Sequence, residues 1–237
     1  MALADVISNE IQKIIDTLWN KRKGTKIPST EDVALAGGAV ELDATFLYAD
    51  LANSSKMAKE LDRRIAAKIL KSFLATTSRL IKSRGGSIVS FDGDRVLGVF
   101  VGDAKNSEAA KCALQINYVM SEYIRPKYEK KYDAVKNASF TLAHGVGIDT
   151  GTVLAVRAGA RGSNDLIWIG RAPNLAAKLS DLRESPHCTF ITASVYNSLN
   201  NTSKYGGSEN KNMWESRSWT FLDEKISIYR SSWHWKP

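Results

Sequence analysis

Two short stretches hold the residues best suited to chemistry. In Thr45-Phe-Leu-Tyr-Ala-Asp50-Leu-Ala-Asn-Ser54 an apolar strand runs straight into an aspartate, and small polar residues then open a helix. In Ser90-Phe-Asp-Gly-Asp94-Arg-Val-Leu-Gly-Val-Phe100 two carboxylates sit at a glycine-bearing tight turn between β-type runs, Ser87 to Phe91 and Val96 to Val101. An ionised carboxylate at the end of a buried strand is costly without a partner. A divalent cation serves as that partner when a second carboxylate is brought alongside. A strand end and a hairpin turn can deliver Asp50 and Asp94 to one place. The turn through Leu51, Ala52, Asn53 and Ser54 would aim backbone N–H groups and the positive end of a helix at phosphates.

The elements that must position these residues follow from periodicity. Val6, Ile7, Ile11, Ile14, Ile15 and Leu18 recur at three- and four-residue steps, predicting an amphipathic helix over 2–20 that packs on the domain or on a second subunit. Residues 21–38, with Gly24, Pro28, Gly37 and Gly38, read as a connecting segment, and the main domain is expected over 39–237. Strand 43–51 leads into a long helix, 54–84, whose inward stripe is Leu61, Ile65, Ile69, Phe73, Leu80 and Ile81, ended by Gly85-Gly86. The hairpin 87–101 precedes a helix over 105–123 that Pro126 is expected to close. Then come a strand pair, 140–148 and 152–158, turning at Asp149-Thr-Gly151, a short strand 166–169, a helix 172–182, and a strand 189–192. A polar loop, 200–212, precedes a final hairpin, 218–222 with 225–229. The order β-α-β-β-α-β predicts an α+β fold, a ferredoxin-like core with additional strands and helices.

Composition sets bounds. The 237 residues are enough for one large domain with a full core. Hydrophobic residues at 43% and charged residues at 24% are those of an ordinary globular protein. Neither a secretory leader nor an apolar run of membrane-spanning length is present, so a cytoplasmic protein is expected. Cys112 and Cys188 form no CxxC pair and are expected to fill core gaps. The net charge of +8 comes from basic residues on helically spaced segments, the pattern of a solvated face that would also draw in a polyphosphate. No basic groove with interleaved aromatic platforms is legible, so no nucleic-acid partner is expected.

Four pieces together carry a resemblance: Leu47-Tyr-Ala-Asp50-Leu, Gly93-Asp94-Arg-Val-Leu-Gly-Val-Phe100, Gly147-Ile-Asp-Thr-Gly151 and Gly170-Arg-Ala-Pro-Asn174-Leu-Ala-Ala-Lys178-Leu. In this order the chain resembles the catalytic domain of class III nucleotidyl cyclases. The resemblance implies two Mg²⁺ or Mn²⁺ ions per site, held at Asp50, Leu51 and Asp94, with Ala52, Asn53 and Ser54 at the phosphates. It implies a homodimer with sites at the interface, where Asn174 orients the ribose and the basic residue at Lys178 steadies the α-phosphate. Lys178 stands where the family has arginine, a point charge in place of a bidentate fork. Lys225 matches a further phosphate-contacting lysine.

A second departure concerns the base. The positions at which purine cyclases read their substrate are Ser90 and Ile167 here, which fit neither the adenine nor the guanine code. Tyr48, where phenylalanine is usual, adds a hydroxyl suited to a smaller pocket. Stand-alone chains with these departures resemble the pyrimidine cyclases of bacterial Pycsar antiphage systems. UTP is therefore the favoured substrate, converted to a 3′,5′-cyclic monophosphate and pyrophosphate. The alternatives are a cytidylate or adenylate cyclase, or an inactive nucleotide-binding module that signals by dimerising. His144, inside a strand pattern, reads as a core residue. Trp168 packs in the core or stacks near the base, and Trp233-His-Trp235 reads as an apolar anchor.

Overall fold

The computed structural model describes residues 2–160 and 163–237. Helix α1 (Leu3–Asp16) forms as its periodicity predicts, but none of its residues is buried: Leu3, Ile14 and Ile15 are all more than two-thirds exposed. It does not pack on the domain. Strand β1 (Asn20–Lys23) lies in the segment read as a connection and pairs in parallel with the start of β2 (Gly38–Ala52).

The predicted 54–84 helix is two helices, α2 (Ser54–Glu60) and α3 (Arg63–Ser83). Asp62 breaks them apart, because its carboxylate accepts the Arg64 amide at 2.9 Å and so starts a new helix. The hairpin β3 (Ser87–Asp92) and β4 (Arg95–Phe100) follows as predicted. Helix α4 (Lys105–Tyr118) does not stop at Pro126. It widens into a π-helical segment, Val119–Ile124, and continues as α5 (Arg125–Lys131), with Pro126 in the first turn where a missing N–H costs little. A single turn, α6 (Asp133–Lys136), leads on.

The largest difference is β5 (Ala143–Ala160), one continuous 18-residue strand where a hairpin was expected. Asp149, Thr150 and Gly151 do not turn. They pair with Phe46, Thr45 and Ala44 in the middle of β2. Strand β6 (Ser163–Ile169) pairs with the far half of β5 and leads into α7 (Arg171–Ser180). A β-carbon on Gly147 would collide with the Ala176 carbonyl and lie 2.7 Å from Leu179 Cβ, so glycine lets α7 lie directly on the sheet.

Strand β7 (Thr189–Thr192) falls where predicted. Helix α8 (Ala193–Asn197) follows directly, and helix α9 (Asn201–Lys204) with the short pair β8 (Tyr205–Gly206) and β9 (Lys211–Asn212) occupies most of the expected polar loop. The closing hairpin is β10 (Glu215–Phe221) and β11 (Glu224–Ser231). The tail is an anchor on its own domain: Trp233 and Trp235 pack against the core and Trp235 N donates to the Leu114 carbonyl at 3.0 Å.

The main sheet runs β10-β11-β7-β5-β2-β4-β3. Its segment β5-β2-β4-β3, with α2 and α3 after β2 and α4 after β4, is the ferredoxin-like arrangement predicted, extended at the β5 side. Alternation on β2 splits the core. Leu47, Ala49 and Leu51 face α3 and α4, together with Phe73, Ile81 and Ile116. Val40, Leu42, Ala44 and Phe46 face the other way, toward Ala172 and Ala176 of α7. Asp50 lies on that second face.

Candidate active site

Registry brings the two aspartates together. Asp50 pairs with Arg95 across β2 and β4, and the Leu51 amide donates to the Asp94 carbonyl at 3.3 Å. The hairpin loop is only Gly93-Asp94, and Gly93 sits at φ +59°, which glycine adopts without strain. Asp94 is thereby fixed beside the end of β2. Asp50 is 6% exposed, and burial raises its carboxyl above the usual range; Asp94 adds to the rise, while Arg95 and Arg183 oppose it.

The Asp50 carboxylate is answered by two guanidinium groups. Arg183 Nη2 approaches Oδ2 at 2.5 Å and Arg95 Nε approaches Oδ1 at 3.5 Å. Arg95 also binds Asp181 at 2.8 Å. A cation at this carboxylate is therefore already built into the fold. Asp50, Leu51, Asn53, Ser54, Asp94 and Arg183 line one cavity of about 330 Å³, which also takes in Ser55, Lys56 and Arg95. Two carboxylates and three cationic side chains in one open cavity suit a polyphosphate carrying divalent cations.

The expected phosphate-binding turn differs in detail. Leu51 and Ala52 still belong to β2, and Asn53 makes the turn in the left-handed region at φ 64°. The helix it opens has 7 residues, so its dipole is that of a short helix rather than of a 31-residue one. Ser54 remains in the cavity wall.

Asn174 and Lys178 lie elsewhere. On α7 the residues Ala172, Leu175, Ala176 and Leu179 are buried, whereas Asn174 and Lys178 are on the exposed face, away from the sheet. Asn174 Nδ2 donates to the Gly170 carbonyl at 3.3 Å. Within one chain the structure does not bring this pair to Asp50.

Of the base-reading positions, Tyr48 is half-buried two residues before Asp50 on the same face, and Ser90 lies in line with it through Leu97. Burial raises the Tyr48 phenol above its usual range, so it is a neutral hydroxyl. Ile167 is 46% exposed on β6, away from both. Its neighbour Trp168 belongs to the core, edge-on to Phe46 at 5.5 Å. Lys225 is exposed on β11, separated from β2 by β7 and β5.

Asp149, part of the third motif, is structural: Thr192 Oγ1 donates to its carboxylate at 2.6 Å while also capping α8. His144 is buried and held to about 3 by desolvation, so it stays neutral. Both cysteines are free, Cys112 buried and Cys188 partly so. Sequence reasoning missed Arg183 altogether. It belongs to no motif, and the one available signal was Gly145, which pairs with Asp50 and leaves room for the guanidinium.

Residues 41–217 match the family described as the adenylate and guanylate cyclase catalytic domain. The chain is 60% identical over its whole length, and over 99% of the relative, to a protein of Rhodovulum sp. (strain MB263) named uridylate cyclase. It is 42% identical, over 99% of both chains, to a protein of the same name from Burkholderia cepacia. Among solved structures, the adenylyl cyclase CyaB from P. aeruginosa superposes with a TM-score of 0.66, covering 81% of this chain and 95% of that one at 19% identity. That last likeness is one of fold. With the fold, the paired aspartates and the match across the domain, the chain belongs to the adenylate and guanylate cyclase catalytic domain family.

Proposed function

We propose that this chain is a uridylate cyclase, converting UTP to cyclic UMP and pyrophosphate. The observation that carries the reading is the apposition of Asp50 and Asp94 at the end of β2. Full-length similarity to proteins named uridylate cyclase supports the choice of base. Asp50 and Asp94, with the Leu51 backbone, would hold two divalent cations, Mg²⁺ or Mn²⁺. These, when bound, favour ionisation of the ribose 3′-hydroxyl and neutralise the leaving pyrophosphate. The 3′-oxygen forms a bond to the α-phosphorus as the bond to the bridging oxygen of pyrophosphate breaks, and the hydroxyl proton passes to solvent.

The chain's own residues supply placement and charge. Asn53, Ser54 and Lys56 form the phosphate side of the cavity. Tyr48 and Ser90 lie along the sheet from Asp50, where a single pyrimidine ring fits without the purine-reading groups. Asn174 and Lys178 point outward and serve the cavity of a second copy, so the working unit is a homodimer. Residues 39–237 form the cyclase domain, with 1–38 as an N-terminal extension. No helix among the described residues is long and apolar enough to cross a membrane. The reading places the enzyme in the cytoplasm, as a second-messenger synthase in antiphage defence.

Incubation with equal concentrations of the four triphosphates and Mn²⁺, followed by product identification, tests the substrate. Hydrogen-bonded discrimination can reach ~10⁴-fold, against ~10–200-fold for shape alone. Cyclic UMP is expected to exceed both purine products by at least the upper end of the shape-only range. Cyclic AMP or cyclic GMP in excess would overturn the choice of base, and no cyclic product from any triphosphate would overturn the enzyme.

The dimer has its own test. Mixed Asp50→Ala and Asn174→Ala chains form hybrids in which one site is whole. Random reassortment across a two-fold interface would restore about one-quarter of wild-type turnover. Exchange-verified mixtures as inactive as their parents would refute the shared site.

A further inference from the structure

We infer that Arg183 is a positioning residue that holds Asp50 until a cation-bearing triphosphate arrives, and then transfers its guanidinium from the carboxylate to phosphate. This rests on the assignment of Asp50 to the metals. It concerns a residue outside the four motifs.

The two arginines at Asp50 are held differently. Arg95 projects from β4 and is clamped from a second side by Asp181, so it is fixed by the sheet and by another carboxylate. Arg183 lies in the irregular segment beyond α7, its side chain is 38% exposed, and Asp50 is its one carboxylate partner among the described residues. Its Nη1 donates to the Ser180 and Leu182 carbonyls at the end of α7. Those acceptors remain when the contact with Asp50 is given up. Arg183 can therefore move its free edge without leaving the cavity wall.

The backbone is shaped around this side chain. Gly145 is the cross-strand partner of Asp50, and a β-carbon there would lie 2.5 Å from Arg183 Nη1. The same β-carbon would also collide with the Ser180 carbonyl, so glycine here admits both the end of α7 and the guanidinium bound to it. The pair is also chemically exchangeable. A guanidinium fork matches carboxylate and phosphate oxygens alike, and both bonds are charge-assisted. A divalent cation competes with Arg183 for Asp50, whereas a triphosphate offers Arg183 an equivalent acceptor within the same cavity. Cation and nucleotide are therefore coupled: each removes what opposes the other, and the coupling is reciprocal.

Mn²⁺ binding by the full-length dimer, read from the free-ion paramagnetic resonance signal, provides a test that does not depend on turnover. Titrations would be run with and without 3′-deoxy-UTP, which lacks the attacking hydroxyl. Coupling between sites ordinarily spans about 5–150-fold. Arg183→Gln is expected to bind Mn²⁺ about tenfold more tightly than wild type without nucleotide. The analogue should tighten wild type far more than this variant. Arg183→Lys, keeping the charge but not the fork, should fall between them and guards against a folding defect in the glutamine variant. Equal Mn²⁺ affinity in wild type and both variants would overturn the role of Arg183, provided Asp50→Asn still weakens binding. If Asp50→Asn leaves Mn²⁺ binding of the Arg183→Gln protein unchanged, the metal assignment itself fails, and this inference with it.

Discussion

Asp50→Asn is expected to abolish cyclic nucleotide formation while leaving the fold intact. The carboxylate sits at the end of a central strand with Asp94 beside it, and amide nitrogen in place of one oxygen removes the negative charge on which cation binding depends. Metal stabilisation of the transition state is worth several kcal/mol, so a loss of about 10³-fold or more in turnover follows at 1.36 kcal/mol per tenfold. Stability should respond far less. Arg95 keeps Asp181, and Arg183 keeps the Ser180 and Leu182 carbonyls, so neither guanidinium is left without an acceptor. The variant also relieves the repulsion from Asp94 that helps raise the Asp50 carboxyl. Replacing one member of a buried ion pair ordinarily costs about 3–5 kcal/mol when the other is stranded, and here it is not stranded. Turnover and thermal unfolding measured on one preparation decide the matter. Activity within tenfold of wild type would remove Asp50 from the chemistry, and Asp94→Asn should repeat the loss.

Gly147→Ala should be among the most damaging single-carbon additions in the molecule. The new methyl group would collide with the Ala176 carbonyl and lie 2.7 Å from Leu179 Cβ. Neither neighbour is the free end of a flexible side chain, so α7 as a whole must lift from β5. Lifting it uncovers Ala172, Leu175, Ala176 and Leu179, all buried. Overpacking ordinarily costs about 1–3 kcal/mol, and a rigid backbone contact places this variant at roughly 3 kcal/mol or beyond. Gly151→Ala provides the control. It lies on the same strand, its φ is not in the left-handed region, and its β-carbon would merely touch Ala172 Cβ at 3.9 Å. Denaturant midpoints compared across wild type and the two variants give the answer. Equal midpoints for Gly147→Ala and Gly151→Ala would refute the close seating of α7. Because α7 carries Asn174 and Lys178 on its outer face, activity should fall with the midpoint.

The apolar and β-type runs that made β2, β3 and β4 readable also constrain which face Asp50 takes, because a strand of fixed register leaves one choice. Periodicity likewise revealed the inward stripe of α3 and the order of the core elements. The missed features arise from partners distant in sequence. Asp149-Thr-Gly151 has turn-forming residues, yet the length of β2 offers it a ladder, and tertiary pairing overrides local preference. Asp62 has no apolar mark of its own, and its role appears only when its carboxylate meets the Arg64 amide. Pro126 reads as a stop unless the helix widens just ahead of it. In the site, Asp50 and Asp94 were legible because one lies at the end of a recognisable strand and the other in a glycine-bearing hairpin turn. Arg183 was not, since what defines it is contact with a residue in another element.

The pairing of β2 with β5 also bears on how the molecule comes to exist. Its partners, from Ala39 with Val156 to Ala52 with Ala143, lie roughly a hundred residues apart along the chain, the kind of separation that slows folding. The β3–β4 and β10–β11 hairpins close over a few residues and can form early. On the ribosome, β2 and β4 emerge well before β5, and at ordinary elongation of about 5–20 residues per second they wait several seconds for it. During that interval one long edge of β2 has no ladder partner, and Asp50 has no Gly145 opposite and no Arg183. The nascent chain thus exposes an apolar strand edge at the stage when its charged site is least complete, and this interval is where a holding chaperone would matter most.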